Sequence, residues 1–219
     1  LKERSNVIFV DLVCHGVPSY HLYEKYGDSI HRTSGVDNER MQMVFRYKPK
    51  SWRDIYLYAS DGEKSYCCSK MSDPFFRMFE VGNCYMESCY ECRWRSDSEA
   101  DIRLGDYWGP RFEEDKTGVS MIVCFTEKGR RVAMDAASAC GAIAESQPIE
   151  DYLKYQQRNN MPKPVFYDTL MRELKSKDKK LESFVDRYTV PLESRSLSFG
   201  EYFKYILKMV TYKEPKNDT

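Results

Sequence analysis

Three of the chain's eight cysteines follow the pattern Cys84-x4-Cys89-x2-Cys92. The Cys89-x2-Cys92 pair can direct two thiolates at one metal centre from a single turn, and Cys84 can reach the same centre if the loop wraps around it. Plant-type ferredoxins share this spacing, and a distant fourth cysteine completes their ligand set. The pattern therefore indicates an iron–sulfur cluster but leaves its number of iron atoms open. A structural zinc site is the main alternative that the spacing allows.

A fourth ligand must come from another part of the chain. Cys14 is the best candidate by position, because it follows a predicted strand directly and lies in a loop with Gly16. The adjacent His15 is an alternative ligand. Cys67 and Cys68 are consecutive in a predicted strand, where neighbouring side chains point to opposite faces. Only one of these two can therefore reach any given site.

The elements that must hold these cysteines follow from the hydrophobic pattern, which predicts an α/β fold. Predicted strands cover Asn6–Val13, Met41–Tyr47, Asp54–Ala59, Glu63–Cys68, Asp101–Leu104 and Val119–Thr126. Predicted helices cover Tyr20–Ile30, Pro74–Phe79, Glu127–Cys140, Glu150–Gln157, Phe166–Lys175, Lys180–Tyr188 and Phe199–Val210. The apolar run Asn6–Val13 is typical of a strand buried on both faces. We therefore expect a mixed sheet core with flanking helices and a helical C-terminal extension.

The same pattern predicts how the chain is divided. Residues 1–149 should form the α/β domain that carries the cysteines, residues 150–211 the helical extension, and residues 212–219 a flexible tail. The chain begins with Leu1 rather than Met and reaches its first predicted strand within a few residues. We therefore expect it to be a fragment whose amino-terminal portion is missing.

Composition argues against several classes of partner. Lys and Arg together number 34, as do Asp and Glu, so the formal net charge is zero and no global field attracts nucleic acid. No apolar run approaches the length of a membrane span, and no signal peptide precedes the first strand. We therefore expect a cytoplasmic protein, in which clustered cysteines indicate metal binding rather than a disulfide scaffold.

Three blocks of sequence, in order, resemble the C-terminal domain family of coenzyme F420 hydrogenase/dehydrogenase beta subunits. Residues 11–19 read DLVCHGVPS and are similar to a family motif. The cysteine run, followed by ADIRLGDYWG at residues 100–109, resembles the family's cysteine block and its SDITLGDFWG segment. Residues 118–129, GVSMIVCFTEKG, resemble its GVSLVLVNTEKG segment. The resemblance covers roughly residues 6–135.

The resemblance implies that Cys14, Cys84, Cys89 and Cys92 ligate one [4Fe–4S] cluster. It also implies an electron-transfer oxidoreductase subunit that binds FAD and takes coenzyme F420 as a substrate. Expected partners are other oxidoreductase subunits or the ferredoxin-like domain that relatives usually carry at their amino terminus. Some relatives are encoded near surface-polysaccharide genes, which adds polysaccharide pyruvyl transferase-type enzymes as partners. Activity of the isolated fragment is left open.

A second function stays open beside this one. In it, the cysteines hold a structural zinc ion, and the chain is a scaffold domain associated with polysaccharide biosynthesis enzymes. Metal content distinguishes the two functions.

Further site residues follow from the resemblance and from residue chemistry. Gly105 and Gly109 permit close approach of the backbone to a cofactor, Asp106 can hold a ribityl or ribose hydroxyl, and Trp108 can flank a flavin ring. The alternative is that the segment binds no cofactor and is a loop in which Trp108 is a packed aromatic anchor and the turn is capped. His15 can carry a proton near a flavin, because imidazole titrates close to neutral pH, or it can simply be bonded to backbone.

Arginines surround the cysteine block, namely Arg93, Arg95 and Arg103. They can offset the negative charge of a thiolate-bound cluster or pair with a cofactor phosphate. A solvated charged face is the alternative.

Overall fold

The computed structural model describes residues 6–183 and 185–189, in two compact units. The first unit contains residues 6–15, 51–53 and 91–160, and the second contains 16–50, 54–90 and the described residues from 161 onward. The chain therefore changes unit between His15 and Gly16, inside the DLVCHGVPS motif, and between Tyr90 and Glu91, inside the cysteine run. The predicted limits 1–149, 150–211 and 212–219 remain a prediction, and the tail and predicted helix Phe199–Val210 lie outside the described residues.

Within the described residues, the strands are β1 (Val10–Leu12), β2 (Gln42–Tyr47), β3 (Tyr56–Ser60), β4 (Ser65–Ser69), β5 (Ile102–Asp106) and β6 (Ser120–Cys124). The helices are α1 (Tyr20–Ser34), α2 (Pro74–Phe79), α3 (Glu127–Ala139), α4 (Ile149–Tyr155), α5 (Tyr167–Lys175) and α6 (Val185–Tyr188). Short 3-10 turns cover Glu87–Cys89, Arg93–Arg95, Pro110–Phe112 and Leu181–Ser183. None of these helices is both long and apolar enough to cross a bilayer.

The first unit is built on a mixed sheet with strand order β1-β5-β6. β1 runs parallel to β5, and β6 runs antiparallel to it. Tyr152 of α4 packs against Tyr107, Met121 and Val123 to form this unit's core. The predicted α/β fold with a mixed sheet is confirmed.

The prediction that the first strand is buried on both faces was wrong. Among the described strands β1 lies at the edge of the sheet, and the side chains of Val10 and Leu12 are 51% and 67% exposed. A continuous apolar run cannot by itself distinguish a central strand from an edge strand, since strand order depends on distant pairing.

The second unit contains an antiparallel sheet with order β2-β3-β4. Its central strand β3 alternates between buried residues, Leu57 and Ala59, and partly exposed ones, as expected for a sheet covered on one face. Helix α1 supplies the apolar side chains Leu22, Tyr26 and Ile30 to the same core.

Two predicted features of this unit, the start of α2 and the β3–β4 turn, are explained by local sequence signals. The side chain of Asp73 accepts hydrogen bonds from the N–H groups of Phe75 (2.9 Å) and Phe76 (3.1 Å), and so begins α2 at the predicted residue. The β3–β4 hairpin turns at Asp61-Gly62, where Gly62 has a φ of 93°. This positive φ favours glycine at the turn.

The C-terminal described helices are shorter than predicted. The predicted helix Lys180–Tyr188 is described as the 3-10 turn Leu181–Ser183 and the four-residue helix α6. α4 belongs to the first unit, whereas α5 and α6 belong to the second.

Candidate functional site

In the second unit, Cys84 and Cys89 lie on a loop that the DLVCHGVPS motif holds through its backbone. The N–H of Ser19 donates to the carbonyl of Cys84 (2.8 Å), and the N–H of Met86 donates to the carbonyl of Val17 (2.8 Å). These bonds frame an antiparallel bridge between Pro18 and Tyr85. The motif therefore fixes the start of the cysteine loop.

The two thiols of this loop differ in their surroundings. Cys84 is fully buried, and burial raises the pKa of its thiol. Cys89 is partly buried and ends the 3-10 turn Glu87–Cys89; its Sγ accepts a hydrogen bond from the N–H of Val17 (3.4 Å). Backbone N–H donation to sulfur is one of the interactions by which proteins tune iron–sulfur clusters.

Three tyrosines shape the same loop. The hydroxyl of Tyr90 donates to the carbonyl of Gly82 (2.7 Å) and accepts from the N–H of Tyr85 (3.2 Å), so it closes the loop around Cys84. The hydroxyl of Tyr167 donates to the carbonyl of Tyr85 (2.9 Å). The rings of Tyr85 and Tyr90 lie 5.7 Å apart, and those of Tyr90 and Tyr167 lie 5.4 Å apart. The N–H and carbonyl of Tyr85 and the carbonyl of Gly82 are thus paired by tyrosine hydroxyls inside a buried aromatic cluster.

The position of Gly16 has no room for a larger side chain, because its backbone lies against the ring of Tyr85 in this cluster. Its φ is +152°, and a Cβ built at this position would lie 2.8 Å from the ring of Tyr85. A side chain here would be strained and would displace the ring next to Cys84.

In the first unit, Arg95 and Asn160 hold the backbones of Cys14 and Cys92. Nη1 of Arg95 donates to the carbonyls of Cys14 (2.5 Å) and His15 (3.2 Å), while its Nε donates to Oδ1 of Asn160 (2.7 Å). Nδ2 of Asn160 then donates to the carbonyl of Cys92 (3.1 Å). One side-chain pair therefore connects two of the predicted cysteine ligands.

Arg103 is a buried structural residue. It forms a bidentate ion pair with Asp11 and donates to the carbonyls of Trp94 (2.8 Å) and Arg95 (3.2 Å). Although burial opposes it, hydrogen bonds from Arg103 and Ser98 hold the pKa of Asp11 below its usual value. Arg103 and Arg95 are both buried, so the alternative of a solvated charged face was wrong for them. Their guanidinium groups bond protein atoms in the structure.

The glycines of the segment 105–109 are explained by packing within the protein. A Cβ at Gly105 would lie 2.9 Å from Cγ2 of Val13, and one at Gly109 would lie 2.5 Å from the hydroxyl oxygen of Tyr107. The hydroxyl of Tyr107 donates to Asp151 (2.5 Å), and this bond raises the pKa of Tyr107 to about 12.

Asp106 and Trp108 have different environments. Asp106 ends β5, and its backbone carbonyl accepts from Nε2 of Gln156 (2.8 Å). The ring of Trp108 is 4.7 Å from that of Trp52, and the guanidinium of Arg53 lies 5.9 Å from the Trp108 ring. Trp108 remains 37% exposed. It is therefore a packed aromatic residue that remains partly exposed.

Two of the four predicted cysteine ligands belong to each of the two units. Cys14 and Cys92 belong to the first unit, and Cys84 and Cys89 to the second. Across the described residues, no group of three or more His, Cys, Asp or Glu side chains is placed to hold a metal ion. The thiol chemistry of the four residues fits an iron–sulfur cluster, as does the N–H donated to Cys89.

The sequence does not signal the residues that hold these cysteines. The prediction for Arg95 is a charge that offsets a cluster or pairs with a cofactor phosphate, and Asn160 and Tyr167 belong to no predicted site. Asn160 lies 65 and 68 residues from the two partners Arg95 and Cys92, and Tyr167 lies 82 residues from Tyr85. No local motif signals contacts over such separations.

Comparison with known proteins gives one result. The family model that describes the C terminus of the beta subunit of coenzyme F420 hydrogenase/dehydrogenase matches residues 2–151, which is more than half of the chain. No curated protein and no solved structure matches significantly. The match includes the DLVCHGVPS motif and all four predicted cysteine ligands. The chain therefore belongs to the C-terminal domain family of coenzyme F420 hydrogenase/dehydrogenase beta subunits.

Proposed function

We propose that this chain is the cluster-bearing part of an electron-transfer oxidoreductase subunit. The proposed ligands of one iron–sulfur cluster, of the [4Fe–4S] type, are Cys14, Cys84, Cys89 and Cys92. Membership of the family supports this function. The structural observation that best supports this function is a hydrogen bond within the second unit. The N–H of Val17, in the DLVCHGVPS motif, donates to Sγ of Cys89.

The two cysteines of the loop support this ligand set unequally. Cys84 is buried in the apolar core of the second unit, which raises the pKa of its thiol and is typical of a structural cysteine, whereas Cys89 is partly buried and accepts a backbone N–H at its Sγ. The buried tyrosine cluster excludes water from the Cys84 side of the loop. When bound, the cluster supplies single-electron transfer.

FAD binding at Gly105, Asp106, Trp108 and Gly109 is part of the proposal, with coenzyme F420 as the substrate. The partly exposed face of Trp108 and the nearby cation of Arg53 favour a planar, anionic cofactor. The glycines give weaker support, because the protein's own side chains already require them. His15, next to Cys14, is the proposed proton carrier.

A beta-subunit family suggests that the partners are other oxidoreductase subunits, and a ferredoxin-like domain is a proposed source or acceptor of electrons. Nothing in the family match supports a polysaccharide pyruvyl transferase-type partner.

The experiment that tests this function is anaerobic reconstitution with iron and sulfide, followed by electron paramagnetic resonance of the reduced protein. The proposed function predicts the signal of a reduced [4Fe–4S] cluster. If the protein gives no cluster signal with iron and sulfide but binds one zinc per chain when zinc is supplied in a parallel anaerobic experiment, the zinc scaffold is supported instead.

A further inference from the structure

We propose that Asn160 and Tyr167 are positioning residues for the cluster, an inference that rests on the proposed function. Both lie beyond residues 2–151, the part matched by the family model. The inference gives the segment 160–167 a role: it fixes the backbones of the cysteine ligands in each unit.

Asn160 acts within the first unit through both ends of its amide. Oδ1 accepts from Nε of Arg95, whose Nη1 holds the carbonyl of Cys14, and Nδ2 donates to the carbonyl of Cys92. Arg95 is 7% exposed, while Asn160 and its hydrogen bonds to Arg95 and Cys92 are partly buried. Three hydrogen bonds, two of them made by the Asn160 amide and the third by Arg95, therefore connect the backbones of Cys14 and Cys92.

Tyr167 acts within the second unit. It is the first residue of α5, and its hydroxyl donates to the carbonyl of Tyr85, the residue after Cys84. Its ring packs edge-on against Tyr90, which bonds both Gly82 and Tyr85. Loss of the Tyr167 hydroxyl would leave the buried carbonyl of Tyr85 without this donor.

The segment adds one ion pair nearby, between Lys163 and Glu87 at the start of the 3-10 turn that ends at Cys89. Both side chains are exposed, so we assign the pair little energy. The positioning role therefore belongs to Asn160 and Tyr167.

Ligand backbones matter because a cluster tolerates little displacement of its thiolates. Residues that orient metal ligands typically change metal affinity by about 10–100-fold when they are mutated. We expect the same range for loss of either contact.

Two conservative substitutions isolate these contacts. Asn160→Asp keeps the acceptor for Arg95 but replaces the donor to Cys92 with an oxygen. Tyr167→Phe removes only the hydroxyl and keeps the ring. The matched controls are Asn38→Asp, which makes the same change at an exposed amide bonded to Asp28, and Tyr26→Phe, which removes a buried hydroxyl bonded to Asp73.

The measurement is the rate at which an iron chelator bleaches the reconstituted cluster, together with its electron paramagnetic resonance spectrum and the melting temperature of each apoprotein. We expect bleaching at least about tenfold faster in Asn160→Asp and Tyr167→Phe, with altered spectra. The controls should match the wild type in bleaching rate and in spectrum, even if Tyr26→Phe lowers the melting temperature.

Wild-type bleaching rates and spectra in both variants would overturn the positioning role while leaving the proposed function intact. A wild-type protein that takes up no iron and sulfide would instead overturn the proposed function. If Asn160→Asp fails to fold, Asn160→Ala removes the same donor without adding charge, and the same comparison applies.

Discussion

The guanidinium of Arg103 on β5 pairs with the carboxylate of Asp11 on β1 through N–O distances of 2.9 and 2.7 Å, at directly opposed positions of the sheet. Asp11 opens the DLVCHGVPS motif, and Arg103 lies in the ADIRLGDYWG block. The same guanidinium bonds the carbonyls of Trp94 and Arg95, in the turn after Cys92. One ion pair therefore links three sequence blocks within the first unit.

Replacing Asp11 should destabilise the protein. Asp11→Asn leaves the buried Arg103 cation without its counter-charge, and we expect the free energy of unfolding to fall by about 1–3 kcal/mol, since Asp11 is one-third exposed. Urea unfolding measures the change.

Glu127→Gln is the control for this substitution, because Glu127 and Arg130 form an exposed ion pair. It should lower the free energy of unfolding less than Asp11→Asn does, because solvent screens an exposed pair. Equal losses in the two variants would contradict a structural role for the Asp11–Arg103 pair.

Lowering the pH should remove the stabilisation that the Asp11–Arg103 ion pair provides. The pKa of Asp11 in the folded protein lies below its ordinary value of 3.8, so the unfolded state takes up a proton first as the pH falls. The stabilisation is therefore complete above that ordinary value and is lost as the pH falls through the lowered pKa.

Unfolding of the wild type and Asp11→Asn from about pH 5 to about pH 2 tests this sign. The difference between their unfolding free energies should shrink on acidification. A constant or growing difference would mean that the carboxylate of Asp11 is not the group responsible.

Cysteine substitutions should separate ligands from other thiols. Cys14→Ser removes a proposed ligand and should lower the iron and sulfide content after reconstitution, because serine is a poor replacement for a thiolate ligand. Cys140→Ser is the control, since Cys140 is an exposed cysteine outside the proposed set. Full iron and sulfide in Cys14→Ser would remove Cys14 from the ligand set.

Gly16 and Gly62 offer a matched pair for testing the cysteine loop. Both have positive φ, but a Cβ at Gly16 meets the Tyr85 ring whereas one at Gly62 meets nothing within 4 Å. Gly62→Ala should cost about 1 kcal/mol of backbone strain.

Gly16→Ala should cost more in urea unfolding and should also reduce cluster loading, because the displaced ring of Tyr85 adjoins Cys84. Identical stability and loading in the two variants would show that the contact between Gly16 and Tyr85 does not shape the loop.

Trp108 should contribute to flavin binding. Trp108→Ala removes the partly exposed ring, and we expect FAD affinity to fall by about two- to tenfold, the range for one aromatic contact. Trp94→Ala is the control, because Trp94 is also a partly exposed tryptophan of the first unit. A flavin fluorescence titration in which both variants match the wild type would exclude Trp108 from the site.

The sequence predicted those features that local signals determine. Helix α2 occupies the predicted range Pro74–Phe79, because Asp73 caps it and Pro74 suits its first turn. The helix Glu127–Ala139 begins where Thr126 caps it, with the Thr126 side chain accepting from the N–H of Gly129.

Features that depend on distant pairing could not be predicted in the same way. The edge position of β1 depends on its pairing with β5, about 90 residues later, and the contacts of Asn160 join residues more than 60 positions apart. The cysteine spacing predicts iron–sulfur chemistry, which stays a prediction, and no pattern in the sequence indicates the residues that hold the cysteine backbones.

Metal and sulfide analysis of the anaerobically reconstituted wild-type protein tests the central claim most directly. The proposed ligand set predicts about four iron and about four acid-labile sulfide per chain, without stoichiometric zinc. One zinc per chain with no sulfide would contradict the electron-transfer function and support the structural zinc scaffold.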